Sequence, residues 1–121
     1  MLSPLQLAYI GDAVYELFVR TYLLDKGMPV GKIHEETIQY VKAKSQSDIV
    51  HALEDILTQE EKSLVVRGRN AKSNSIPKNA QLIDYKYATG FESLIGYLYL
   101  TGADNRMVEL FEKIIHLPMN N

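Results

Sequence analysis

The chain of 121 residues has the length of one domain, and its 46% hydrophobic and 23% charged residues are typical of a globular protein and exclude a disordered one. It contains no cysteine, which excludes a disulfide framework and a thiolate metal site. The net charge of −2 gives no general affinity for polyanions. Because the sequence shows neither a basic leader segment nor an apolar run near 18 residues, we expect a cytoplasmic protein without a membrane partner.

Four segments follow one another in the first half of the chain. Apolar residues at helical spacing predict a first helix over about residues 5–24, with Ile10, Val14 and Leu17 on one side. Gly and Pro in residues 25–32 predict a loop, and a second helix is expected over 32–44. Ser45 and Asp48 have the spacing of a capping pair and predict that a third helix opens there.

The second half of the chain is also mainly helical in pattern. Thr58 and Glu61 repeat the capping signature, and residues 68–81, rich in Gly, Asn, Ser and Pro, predict the longest loop. A heavily buried helix is expected over 89–102, and an amphipathic one over 103–117 with its inward side formed by Met107, Leu110, Phe111 and Ile114. The runs SLVV and LIDYKYA are compatible with short strands, but no hairpin pairing is evident. The sequence therefore predicts an all-α fold of about six helices in a single domain, residues 1–121.

Two carboxylates, Asp12 and Glu16, lie among apolar residues in the first predicted helix. Burying an ionised carboxylate without a partner is costly, so each of them requires a compensating group. Glu16 has Arg20 four residues later, in the orientation that favours a salt bridge. Asp12 has no such partner, and either the helix dipole or a metal ion would account for it.

Glu92 is a second isolated carboxylate, in the apolar stretch FESLIGYLYL. Gly96 lies on the same helical face as Glu92, and Gly11 precedes Asp12, so each glycine permits the close approach of another backbone. Packing of the two helices would bring Asp12 near Glu92. Two carboxylates and several waters suit Mg²⁺, an ion that can activate water and neutralise charge on a phosphate. The alternative is a structural role for each carboxylate.

A basic stretch contrasts with the acidic balance of the chain. From Lys62 to Ile83 there are five positive residues and no Asp or Glu, although the chain has 15 acidic residues. Lys and Arg neutralise phosphates, and Asn and Ser can bond to phosphate and ribose oxygens. A solvated charged loop is the alternative, but the absence of acidic residues favours a polyanion contact. We therefore predict RNA contacts by a set of polar residues in this stretch: Arg67, Arg69, Asn70, Lys72 and Lys78.

Three ordered motifs carry a resemblance to a known family. LAYIGDAVYEL resembles the signature helix of the ribonuclease III family, and GFESLIGYLYL resembles its second catalytic helix. RGRNAKS, PKN and YKYATGFESLIGYLYL resemble the Mini-ribonuclease III branch, which has a catalytic domain without a double-stranded RNA-binding domain. The resemblance implies an all-α ribonuclease III-type domain and a two-fold homodimer. It also implies Mg²⁺-dependent endonucleolytic cleavage of double-stranded RNA to 5′-phosphate ends, in maturation of the 23S ribosomal RNA precursor.

The resemblance also assigns roles to individual residues. The family's signature Asp falls on Asp12 and its second-helix Glu on Glu92, which makes both catalytic residues and metal ligands. Larger members have further carboxylates where this chain has Ala8 and Thr89, so one Mg²⁺ per site is the economical expectation. The Mini-ribonuclease III branch shares both departures, which favours an active enzyme. A non-catalytic module that binds ribosomal RNA is the alternative, and the apolar side around Tyr9 is the candidate dimer contact.

Overall fold

In a computed structural model of the protein, residues 2–72 and 81–118 are described, and they form six α-helices and one short 3-10 helix. The helices are α1 (Pro4–Asp25), α2 (Val30–Val41), α3 (Ala43–Ala52), α4 (Gln59–Asn70), α5 (Leu82–Leu100) and α6 (Asp104–Ile115), and the 3-10 helix Glu54–Ile56 precedes α4. The all-α prediction is confirmed for these residues. None of the helices they form is long and apolar enough to cross a membrane.

Two helices begin with capping boxes that the sequence encodes locally. At α4 the Glu61 amide donates to the Thr58 hydroxyl at 3.1 Å, and the Thr58 amide donates to the Glu61 carboxylate at 2.9 Å. This confirms the predicted cap. Ser3 and Gln6 form the same reciprocal pair at the start of α1, where Pro4 occupies the first helical position. These side chains satisfy amides that have no partner within the helix, and each cap contributes about 1 kcal/mol.

The predicted capping pair of Ser45 and Asp48 is wrong. Helix α3 begins two residues before Ser45, at Ala43, and the Ser45 hydroxyl donates to the Gln39 carbonyl. Asp48 instead forms an ion pair with Lys44 at 2.9 Å. The capping pattern fails because both side chains already have partners elsewhere. The two runs compatible with strands are also helical, SLVV within α4 and LIDYKYA within α5.

Helix α5 lies at the centre of the molecule and packs against α1, α3, α4 and α6. Its side chains Phe91, Leu94 and Ile95 are fully buried, and Tyr15 of α1 meets Phe91 edge to face with ring centroids 5.0 Å apart. The predicted inward side of α6 is confirmed. Leu110, Phe111 and Ile114 are buried, and Met107 is half-buried. A central helix covered on several sides explains why α5 is apolar almost all round.

Glycines allow α5 to touch its neighbours backbone to backbone. A Cβ on Gly11 of α1 would lie 1.8 Å from the Glu92 carbonyl oxygen, and one on Gly96 would lie 1.9 Å from the Leu7 carbonyl oxygen. The predicted packing of these two helices at their glycines is therefore observed. Where α4 meets α5, a Cβ on Gly68 of α4 would lie 2.5 Å from the Ser93 hydroxyl. Only glycine fits at these three positions.

The crossing of α1 and α5 at Gly11 and Gly96 also determines which side of α1 is buried. The core face carries Leu7, Gly11 and Tyr15 and continues to Val19 and Leu23. The opposite side, which carries Ile10, Val14 and Leu17, is only partly covered: Leu17 is 66% exposed, and Ile10 and Val14 are half-buried. The glycine contact rotates α1 so that an apolar strip stays on the surface of the single chain.

Candidate metal centre and RNA interface

Asp12 and Glu92 meet where α1 crosses α5. The Gly11 backbone lies against the Glu92 backbone, and Asp12 is the next residue of α1. This contact places the Asp12 carboxyl near the Glu92 carboxyl, close enough for the charge of Asp12 to add to the rise that burial causes in the pKa of Glu92. Asp12 is exposed and Glu92 is half-buried. The pair therefore opens to solvent on the Asp12 side, where a ligand can enter.

Sequence reasoning missed a third residue of this site, Gln46 of α3. Its side-chain amide donates to the Glu92 Oε2 at 3.2 Å and to the Val41 carbonyl oxygen at 2.7 Å. Gln46 is only 2% exposed. It lies in the polar segment KAKSQSD, which has no local signal of burial. Its position depends on how α3 packs against α5.

The environment of Glu92 disfavours a second negative charge. Burial raises the pKa of the Glu92 carboxyl to about 8, and the charge of Asp12 adds to this rise. The hydrogen bond from Gln46 acts in the opposite direction. A divalent cation bound by both carboxylates would remove the repulsion, because it offers the positive charge that the pair lacks.

The raised pKa predicts a pH dependence of stability in the metal-free protein. Between pH 4.5 and about 8 the folded chain keeps a proton on Glu92 that the unfolded chain releases. The stabilisation that comes from the protonated Glu92 carboxyl is fully present below pH 4.5 and is lost as the pH rises through about 8. We expect thermal unfolding in EDTA to show this loss in the wild type, and Glu92→Gln, which cannot ionise, to show a flatter profile. Equal slopes for the two proteins would contradict the assignment.

Ala8 and Thr89 do not extend the donor set. Ala8 is buried, and the buried Thr89 hydroxyl donates to the Tyr85 carbonyl oxygen at 3.0 Å. Within residues 2–72 and 81–118, no group of three or more His, Cys, Asp or Glu side chains could hold a metal ion. The two carboxylates therefore fit one hard cation whose remaining ligands are water and substrate oxygens.

Glu16 has the predicted partner. Its carboxylate forms an ion pair with the Arg20 guanidinium one turn later. Both side chains line an open groove of about 500 Å³ along α1 that also reaches Asp12. Glu16 thus has a compensating charge of its own, while Asp12 faces Glu92.

Most of the predicted RNA-contact residues lie at the end of a helix, although the sequence predicted a long loop over residues 68–81. Helix α4 continues through Gly68 to Asn70, so Arg67, Arg69 and Asn70 lie in its last turn, and Lys72 is the one described member of the set that follows it. Arg67, Asn70 and Lys72 are exposed. Lys78 lies outside the described residues. Because Gly68 packs on Ser93, this end of α4 touches the turn of α5 that carries Glu92.

Arg69 is held by an aromatic neighbour on α5. Its guanidinium lies 5.6 Å from the centre of the Tyr87 ring, and its Nη1 donates to the Tyr87 hydroxyl at 3.3 Å. Its Nε also donates to Asn70 Oδ1 at 3.1 Å. Such contacts limit the freedom of a long side chain while leaving the cation partly open to a phosphate.

Comparison with known proteins identifies the family. Residues 5–103 match the sequence profile of the Ribonuclease III domain. The chain belongs to the ribonuclease III family. Among its ribonuclease III relatives, a Mini-ribonuclease 3 from Thermoanaerobacter sp. (strain X514) is 53% identical and matches 92% of this chain and 79% of its own length. A Mini-ribonuclease 3 from Clostridium tetani is 50% identical and matches 96% of this chain and 78% of its own.

A solved structure supports the same ribonuclease III assignment. The crystal structure of protein FN1578 from Fusobacterium nucleatum superposes with a TM-score of 0.86 at 31% sequence identity, and the match covers 93% of both chains. The fold is thus the all-helical ribonuclease III fold, and the protein is an endoribonuclease of that family. The alternative of a binding module without activity is not retained.

Proposed function

We propose that this endoribonuclease cuts double-stranded RNA with the help of one Mg²⁺ per chain, held by Asp12 and Glu92. The meeting of these carboxylates at the α1–α5 crossing carries the proposal. In the described part of the chain neither forms an ion pair with Lys or Arg, so both keep their oxygens for a cation. When bound, Mg²⁺ would supply activation of water and neutralisation of the charge that develops on the phosphate.

The residues of the chain divide the remaining work. The backbone contact at Gly11 fixes the spacing of the two carboxylates, and the exposed side of Asp12 admits the scissile phosphate. The end of α4 and the residue after it offer cations and an amide to neighbouring phosphates and ribose hydroxyls: Arg67, Arg69, Asn70 and Lys72. We assign the same role to Lys78. Recognition would rest on the shape and backbone of A-form RNA, not on base edges.

Removing two of these charges should weaken RNA binding. For the double variant Arg69→Ala/Lys72→Ala we expect a salt dependence of the binding constant that is shallower by about two phosphate contacts, and weaker affinity at low salt. The control Lys32→Ala/Lys113→Ala removes two cations elsewhere, on α2 and α6, and should bind like the wild type. Titration of a labelled duplex at several salt concentrations in the absence of divalent ions measures both. An equal salt dependence of the RNA-binding constant for the two double variants would contradict the proposed RNA contacts of Arg69 and Lys72.

We infer that the active form is a two-fold homodimer joined through the exposed apolar side of α1. Tyr9 is 80% exposed, and Leu17 and Tyr99 line an apolar groove of about 480 Å³ between α1, the end of α5 and α6. Apolar area of this kind is unfavourable in water and marks an interface. Because Asp12 lies beside this side of α1, a two-fold contact would give two sites, one for each strand. Sedimentation at the mass of two chains would support the dimer, and a single-chain mass would contradict it.

The substrate we propose is the double-stranded stem that joins the ends of 23S ribosomal RNA in its cytoplasmic precursor. The basic end of α4 touches the turn of α5 that carries Glu92, so an extended duplex can contact both the cations and the carboxylates. Incubation of the precursor stem with Mg²⁺, followed by mapping of the ends, should give cuts in both strands with 5′-phosphates. Cleavage of unrelated duplexes at the same rate would restrict the proposal to duplex RNA in general. A wild type that binds the stem and never cuts it, with Mg²⁺ or Mn²⁺, would overturn the proposal.

A further inference from the structure

Gln46 is a buried polar residue whose side-chain oxygen has no hydrogen-bond partner. It lies on α3 and is 2% exposed, and its amide nitrogen bonds to Glu92 Oε2 and to the Val41 carbonyl oxygen. Its Oε1 is buried and has no hydrogen-bond partner. An apolar side chain of similar size would avoid the unpaired Oε1, but it would leave the Val41 carbonyl and Glu92 Oε2 without this donor. The presence of glutamine here calls for a reason beyond packing.

The two partners fix the orientation of the Gln46 amide. Both Glu92 Oε2 and the Val41 carbonyl oxygen are acceptors, so only the NH₂ group can face them. The reverse orientation would place oxygen against oxygen at both contacts. The unpaired Oε1 is the consequence of directing both donors to these two atoms.

We propose that Gln46 is the positioning residue of Glu92: it anchors on the Val41 carbonyl and holds one carboxylate oxygen, which leaves the other to face Asp12 and a metal ion. This inference rests on the proposed role of Glu92 as a metal ligand. A neutral donor suits the task, because a Lys or Arg at this point would compete with the cation for the carboxylate. Partners of this kind orient ligating carboxylates in metal sites.

The test is calorimetric binding of Mn²⁺ to the metal-free protein. Gln46→Met keeps the approximate volume and removes the donors, and we expect the Mn²⁺ affinity of the folded variant to fall about 10- to 100-fold. Thr37→Val is the matched control, since the Thr37 hydroxyl is another buried group without a partner, and it should bind Mn²⁺ like the wild type. Wild-type affinity in a folded Gln46→Met overturns the proposal.

Two further measurements separate the possible failures. Glu92→Gln should lose Mn²⁺ binding; if it binds normally, the proposed metal site itself is wrong. If Glu92→Gln loses binding and Gln46→Met does not, only the positioning role is wrong. Should Gln46→Met fail to fold, NMR of the wild type decides: the Gln46 side-chain amide signals should shift when Mg²⁺ is added, whereas those of the partly exposed Gln39 should not. Unshifted Gln46 signals in a protein that binds Mg²⁺ would overturn the proposal.

Discussion

Asp12→Asn and Glu92→Gln are each expected to lower the rate of RNA cleavage at saturating RNA by about 10³-fold or more. Such a loss corresponds to about 4 kcal/mol of transition-state stabilisation. The reason is chemical, because an amide of the same shape cannot supply the negative oxygen that Mg²⁺ prefers. Both variants leave the basic end of α4 unchanged, so their affinity for duplex RNA in the absence of divalent ions should match that of the wild type.

Glu16→Gln is the matched control for these two variants. It removes one carboxylate from the same exposed side of α1, four residues after Asp12, but Glu16 pairs with Arg20 and not with Glu92. We expect cleavage within a few-fold of the wild-type rate, because an exposed pair of this kind contributes little to stability. The double variant Asp12→Asn/Glu92→Gln should be hardly slower than either single one, since the two proposed ligands would act as a unit. Wild-type rates in either single variant would contradict the assignment.

Gly11→Ala and Gly96→Ala should each destabilise the fold by about 3 kcal/mol or more. The added Cβ would lie 1.8 Å or 1.9 Å from a backbone carbonyl oxygen of the facing helix, far inside van der Waals contact. Overpacking a core costs typically about 1–3 kcal/mol, and here no side chain can move aside. The helices must separate, which also pulls Asp12 away from Glu92. Thermal unfolding should therefore show a midpoint lower by about 10 °C.

Gly31→Ala is the control for the glycine variants. Gly31 lies in α2, and nothing is within 4 Å of the position that its Cβ would occupy. Alanine there should stabilise the protein by about 0.5 kcal/mol, because it is a better helix former. A Gly11→Ala protein as stable as Gly31→Ala would show that the backbone contact is not what holds α1 on α5. A Gly11→Ala or Gly96→Ala protein that stays folded should still bind Mn²⁺ more weakly than the wild type, whereas Gly31→Ala should bind it equally well.

The central site was predictable because its signals are local. A lone carboxylate with a glycine next to it or one turn away can be read from the spacing of residues, and two helices with such a pair indicate a shared contact. The result was the pairing of Asp12 with Glu92. The cap at Thr58 was predictable for the same reason, since it involves residues only three positions apart.

The burial of Gln46 and the full length of α4 could not be predicted from the sequence, because both depend on tertiary packing. Gln46 is buried because α3 lies across α5, and nothing in its neighbours along the chain reports this. The length of α4 was underestimated because Gly68 and Asn70 read as loop residues. In the fold Gly68 is needed inside the helix, where its missing side chain makes room for α5. Lys78 remains a prediction that only binding experiments can test.

The glycine crossing has a thermodynamic consequence. The ion that we propose between Asp12 and Glu92 would join α1 to α5, the two helices whose contact forms the centre of the core. Binding to the folded chain alone would stabilise it by an amount set by the ion concentration relative to the dissociation constant. The unfolding temperature should therefore rise with the logarithm of the Mg²⁺ concentration above its dissociation constant. The concentration of free magnesium would then affect the stability of the folded enzyme as well as its rate of RNA cleavage.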